Sequence, residues 1–114
     1  MLPNCVAYFF WIFIVHHVYS ATDVLSCFEK TPDHALIGYA QDTGNNQVGS
    51  LEECLGQCLD AEKKFQFECK SALFYPDLKE CNLNTATKVD DSFSFVETAV
   101  GEKVDYYQKT CGVG

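Results

Sequence analysis

Seven cysteines in 114 residues constrain this chain more than any other feature, because so many thiols in so short a sequence imply either a disulfide framework or a metal site. The compartment decides between them, and the amino terminus bears on the compartment. The run Val6-Ala7-Tyr8-Phe9-Phe10-Trp11-Ile12-Phe13-Ile14-Val15 precedes the first acidic residue, Asp23, and the first lysine, Lys30, and His16-His17 ends it. A bilayer-spanning helix needs about 20 apolar residues; this run has about half that, so it reads as a signal-peptide core and no membrane anchor is expected. Val18-Tyr19-Ser20 places short side chains at the −3 and −1 positions of a cleavage site. Residues 1–20 are therefore expected to be a signal peptide and residues 21–114 one small domain. Cleavage also removes Cys5, leaving an even set in an oxidising compartment.

Cys27, Cys54, Cys58, Cys69, Cys81 and Cys111 then read as three disulfides, with fifteen connectivities open from counting alone. A zinc site is the competing reading of Cys54-x3-Cys58 and Cys69-x11-Cys81, but the spacing fits no common ribbon or finger. Ser50 to about Ala61 opens with a capping box, Ser50 followed by Glu53, and continues with Leu51, Cys54, Leu55, Cys58 and Leu59 at helical spacing. Both cysteines thus leave one apolar face, and side chains four apart on a helix run too nearly parallel to bond each other. Each is expected to reach another element. The neighbouring segment Phe67 to Leu83 reads as a β-hairpin around Pro76-Asp77. Ala35–Ala40, Phe93–Val96 and Val104–Lys109 read as further strands, and the polar stretches Gln41–Gly49 and Asn84–Ser92 as loops. The expected fold class is α+β: one helix packed on an antiparallel sheet and stapled by disulfides.

A cysteine before the first strand, the helix Cys54-x3-Cys58, then Phe67-x-Cys69-x-Ser71-x-x-Phe74 with Cys81-x-Leu83 after a turn, and a closing Tyr106-Tyr107-x-Lys109-x-Cys111 resemble the PAN/Apple domain over about residues 27–111. The resemblance implies a helix on an antiparallel sheet, and it implies nested disulfides: Cys58–Cys69, Cys54–Cys81 and Cys27–Cys111. Loops of that size closed by bridges give about 3, 3.5 and 4.5 kcal/mol in the chain-entropy model. Their total is comparable with the roughly 5–15 kcal/mol by which a whole domain is stable. The cysteines are therefore expected to be structural.

The chemistry left over is that of a binding protein. No Gly-x-Ser-x-Gly occurs, the thiols are committed, and His34 has no motif around it and reads as a solvated loop residue, so no enzyme is expected. Asp90-Asp91 and Glu52-Glu53 are sequence neighbours with no sign of acid/base pairing. Asp77, Glu80, Asp90 and Asp91 lie near turns, but no Asp-x-Asp-x-Asp-Gly loop exists, so neither metal nor cofactor is expected. A net charge of −8 without a single arginine disfavours nucleic acid and heparin, since sulfate and phosphate are best held by the guanidinium fork. The resemblance implies an extracellular module that binds protein or carbohydrate, with an extracellular matrix as its setting. A free-standing secreted effector or inhibitor working through one exposed loop is the alternative. Asp42, Asn45, Asn46 and Gln47, in the Gly- and Asn-rich loop before the helix, are the candidate contact residues. Tyr106 and Tyr107 fall on opposite faces of a strand, so one is expected in the core and the other as an exposed anchor. No Asn-x-Ser/Thr sequon is present to place a glycan over any of these faces.

Amino-terminal sequencing of secreted material is expected to begin at Ala21. Protein that still begins at Met1 and stays in the membrane would contradict the reading of the apolar run.

Overall fold

The structure is a computed structural model that describes residues 21–112. The expected signal peptide, 1–20, lies outside the described residues. The chain runs through α1 (Ala21–Ser26), β1 (Phe28–Pro32), β2 (His34–Leu36), α2 (Leu51–Leu59), α3 (Ala61–Phe65), β3 (Ser71–Tyr75), β4 (Glu80–Asn84), a 3-10 turn (Ser92–Ser94), β5 (Phe95–Glu97) and β6 (Asp105–Lys109).

Helix α2 starts where the capping residues place it. The Glu53 amide donates to the Ser50 hydroxyl at 3.1 Å, and the Glu53 carboxylate turns back to accept from the Gly49 amide, so two of the orphan donors at the helix start are satisfied. Its apolar stripe buries Cys54, Leu55 and Cys58. Helix α3 follows at once and stops where Gln66 takes a left-handed conformation.

Four strands form one fully antiparallel sheet in the order β1-β6-β3-β4. The α2 helix covers one face, where Cys54, Leu55, Cys58 and Ala61 pack with Ala72, Phe74, Leu83 and Tyr107. The other face carries Leu73 and Tyr106, which pack with Ala35, Leu36, Ala86 and Val104. A second, two-stranded sheet made by β2 and β5 supplies part of that cover. The central strand β3 therefore lies between two cores, and its sequence Ser-Ala-Leu-Phe reads as an unbroken buried run with no polar face.

This layering corrects several expectations. Tyr106 and Tyr107 are 0% and 5% exposed, so neither is a surface anchor: the sheet is covered on both sides and each tyrosine enters a different core. Burial, with Asp105 and Glu52 adding to it, pushes the Tyr107 phenol up to about 12. The strand expected over Ala35–Ala40 ends at Leu36, because Gly38 adopts the left-handed φ of +96° that glycine tolerates and a strand does not. His34 is no solvated loop residue. It belongs to β2, stacks on Phe95 with ring centroids 4.9 Å apart, and its Nδ1 lies 2.9 Å from the Pro32 carbonyl oxygen. Phe93–Val96 divides into a 3-10 turn and the start of β5, which pairs with β2 in a sheet of its own. The stretch Asn84–Ser92 is a loop with a buried centre: the Ser71 hydroxyl donates to the Ala86 carbonyl at 2.6 Å and receives the Asn84 amide at 3.1 Å, tying the loop to the start of β3.

Cys27 and Cys111, Cys54 and Cys81, and Cys58 and Cys69 form three disulfides. Two of them fasten α2, one to β4 and one to the residue pair preceding β3. The third joins the segment before β1 to the segment after β6. Thiol reduction is expected to remove the largest unfolded-state constraint, the 84-residue separation closed by Cys27–Cys111, worth about 4.5 kcal/mol, together with both helix staples. Loss of the near-ultraviolet tyrosine dichroism on reduction checks this; a reduced chain that keeps its native spectrum contradicts it.

Candidate functional site

The loop between β2 and α2 is laid against the outer edge of β4. Single bridges pair Ala40 with Asn84 and Gln47 with Glu80. Three further backbone bonds fix the crossing: Gln41 N–H to the Leu83 carbonyl at 2.9 Å, Cys81 N–H to the Asn46 carbonyl at 2.8 Å and Val48 N–H to the Lys79 carbonyl at 2.9 Å. An edge strand that would otherwise expose its donors and acceptors is capped in this way.

Between those fixed points the loop folds on itself by side-chain turns. Asp42 Oδ1 accepts from the Gly44 amide at 2.8 Å, and Asn45 Oδ1 accepts from the Gln47 amide at 3.0 Å. Gly44 holds a φ of +86°, which the first turn requires. The result is a basin of about 280 Å³ lined by Gln41, Asp42, Thr43, Asn45, Asn46 and Asn82. Of the candidate contact residues, Asp42, Asn45 and Asn46 share this basin. Gln47 does not: its amide turns to Glu80 Oε1 at 3.5 Å. Gln41, Thr43 and Asn82 join the site without having been singled out. Asn82 comes from β4 and meets the loop only through the strand pairing, so no local pattern marks it.

The basin walls are amides, a hydroxyl and one carboxylate, with almost no carbon surface. Asp42 Oδ2, the Asn45 amide nitrogen and the whole Asn46 side chain have no protein partner among the described residues. Such a set can donate to and accept from hydroxyl groups. Two of the acidic residues near turns are engaged elsewhere. Asp90 Oδ2 accepts from the Thr87 amide at 2.9 Å, and Asp91 Oδ2 accepts from the Tyr39 hydroxyl at 2.6 Å and the Ser94 hydroxyl at 2.7 Å. Among the described residues no group of three or more His, Cys, Asp or Glu could hold a metal ion, and no helix is long and apolar enough to cross a membrane.

A helix stapled by two disulfides to an antiparallel hairpin, with a third bridge joining the segments that flank the first and last strands, defines a small disulfide-framed α+β domain. The chain matches the PAN domain family over residues 27–111 and belongs to it. PAN domains are in general protein- or carbohydrate-binding modules of extracellular proteins. The chain is also similar to an uncharacterized protein of Caenorhabditis elegans, F52C9.5, with 28% identity over 86 residues; the match takes in 74% of this chain and 13% of that protein.

Tyr39 stands at the stem of the candidate loop, and its bond to Asp91 anchors that stem to the 3-10 turn. The Tyr39 hydroxyl is the largest cause holding the Asp91 carboxyl below its ordinary range, followed by the Ser94 hydroxyl; the same bond raises Tyr39. A lowered carboxyl stabilises the fold above its unfolded pKa of about 3.9, and that contribution is lost as pH falls through the lower folded value. A raised phenol stabilises below its unfolded pKa of about 10, and the contribution is lost as pH rises through the folded value. Tyr39→Phe is therefore expected to move the Asp91 titration midpoint upward, read by carbon-detected NMR of the carboxyl. An unmoved midpoint would assign the anchoring to Ser94 alone.

Proposed function

We propose that this domain is a non-catalytic recognition module of a secreted protein, that it acts in an extracellular matrix, and that it binds an uncharged glycan through the basin formed by residues 41–46 and Asn82. The observation that carries this reading is a wholly polar concavity whose floor is fixed to a sheet edge by backbone bonds. A polar ligand entering it meets a loop backbone already fixed at Gln41, Asn46 and Val48 and turn-forming side chains at Asp42 and Asn45, so backbone ordering entropy is largely spared. Amide side chains that both donate and accept match sugar hydroxyls, which do the same. The absence of carbon surface argues against an apolar peptide anchor at this position.

Secretion is supported by the apolar leader and by the commitment of six thiols to bridges, which persist in oxidising compartments. A non-catalytic role is supported by the same commitment and by the engagement of His34 with Phe95 and the Pro32 carbonyl.

A glycan array probed with the oxidised domain is expected to return neutral glycans, and Asn45→Ala with Asn46→Ala is expected to weaken the best of them about tenfold, the worth of one or two hydrogen bonds. Unchanged binding by a folded double variant, or selection of sulfated glycans only, would overturn the assignment.

A further inference from the structure

The three disulfides differ in what surrounds them. The cysteines of the two helix staples, Cys54–Cys81 and Cys58–Cys69, are at most 3% exposed. They lie in the core beneath α2 with Leu55, Phe74, Leu83 and Tyr107. Cys27–Cys111 belongs to neither core. Cys111 is exposed and Cys27 half-buried, so among the described residues this is the one bridge that has an exposed cysteine. Thiol–disulfide exchange requires an attacking thiolate to touch a bridge sulfur, and access therefore ranks the three bonds. The staples are reached only when the core opens.

What happens when the exposed bond opens depends on what else holds the two segments it joins, and here the backbone does. β1 and β6 pair along their whole length, from Phe28 opposite Lys109 to Pro32 opposite Asp105. Beside the bridge itself the Thr110 amide donates to the Cys27 carbonyl at 2.7 Å, and the Cys27 amide donates to the Val24 carbonyl at 3.1 Å. On its other side β6 is held by β3, and the Lys109 amide donates to the Lys70 carbonyl at 3.0 Å. The Cα atoms of Cys27 and Cys111, 4.8 Å apart, are thus kept together by a ladder that does not need the S–S bond. Opening the bond releases neither segment. The same ladder keeps a freed thiol beside its former partner, so resealing is intramolecular and favoured by proximity.

We propose that Cys27–Cys111 is a thiol–disulfide exchange site, opened by an external thiol while both helix staples stay closed and the fold persists. An external thiolate attacks Cys111 Sγ: a new S–S bond forms between them, the Cys27–Cys111 bond breaks, and its electron pair leaves on Cys27 Sγ, which takes a proton from solvent. The product is a mixed disulfide at Cys111 and a free thiol at Cys27. From there two balanced routes lead on. A second external thiolate attacks the external sulfur of the mixed disulfide, leaving Cys111 as a thiol, so that two thiols are oxidised to one disulfide as the bridge is reduced. Alternatively the Cys27 thiolate attacks Cys111 Sγ and expels the first thiolate, which reseals the bridge with no net redox change. The site lies at the β1–β6 side of the sheet, opposite the β4 edge that carries the residue 41–46 basin, and it does not depend on that basin.

The test exposes the oxidised secreted protein to reduced glutathione in native buffer, caps free thiols with N-ethylmaleimide at intervals and maps the modified peptides by mass spectrometry. Glutathione on Cys111 and maleimide on Cys27 are expected about tenfold or more sooner than any label on Cys54, Cys58, Cys69 or Cys81, because the staples wait for a larger opening. The near-ultraviolet tyrosine dichroism is expected to be unchanged at that stage and to be lost only when the staples are reduced as well. Cys27→Ser with Cys111→Ser is expected to fold with the native dichroism and to accept no glutathione over the same interval. Labelling of a staple at the same rate, glutathione on Cys27 in place of Cys111, a bridge left intact until the dichroism is lost, or a double variant that does not fold or is modified as fast as the parent would each overturn the proposal.

Discussion

The attachment of one short helix to one hairpin organises the rest of this molecule. Cys54 and Cys58 lie on the same face of α2 and are 0% and 1% exposed; their bridges run to Cys81 in β4 and to Cys69 just before β3. A helix of nine residues is too short to be stable by itself in water, where isolated helices need roughly 12–15 residues to be even marginal. Packing and covalent staples hold it instead. Once α2 is fixed across β3 and β4, Ala72, Phe74 and Leu83 have their cover, and the opposite face of the sheet becomes the place where β2, β5 and the loop after β4 must go.

That second face explains what a reading of the chain as a half-buried sheet misses. Ser71, at 0% exposure, accepts the Asn84 amide and donates to the Ala86 carbonyl; a buried hydroxyl is tolerable only with such partners. The bond to Ala86 holds the loop 84–90 close to the sheet. On the same face Tyr106 meets Phe95 edge-on with centroids 4.8 Å apart, while its hydroxyl receives the Lys88 amide and donates to Gln108. One tyrosine thus joins the core to the end of the sheet: its ring packs on Phe95 while its hydroxyl is satisfied by the Lys88 amide and the Gln108 carbonyl oxygen.

The helix and the hairpin were legible because their signals are local. Ser50 with Glu53, the period of Leu51, Cys54, Leu55 and Cys58, and the turn at Pro76-Asp77 each lie within a dozen residues. β1 was not legible. Its sequence Phe-Glu-Lys-Thr-Pro is that of an edge strand, exposed on one side and closed by Pro32, with little apolar alternation to betray it. β2 and β5, three residues each, overlap the strands expected over Ala35–Ala40 and Phe93–Val96 but are too short for a period to fix their bounds, and Phe93, 96% exposed, carried an apparent alternation that belongs to a turn. The candidate loop was legible as a loop, since Gly44, Asn45 and Asn46 announce it, but its shape was not. Asn82 joins the basin and Gln47 leaves it because of pairing with β4.

Charge shows the same separation of scales. The chain's net charge of −8 sets the sign of its field out to about a Debye length, about 8 Å at physiological ionic strength, and it opposes any extended polyanion. Within that distance the local arrangement decides. Lys30 lies 3.7 Å from Asp105 and Lys88 lies 3.9 Å from Glu29, and the Thr87 amide, followed by Lys70, holds the Asp90 carboxyl below its ordinary range. These lysines are each answered by a carboxylate, so the acidic field of the domain is relieved pair by pair.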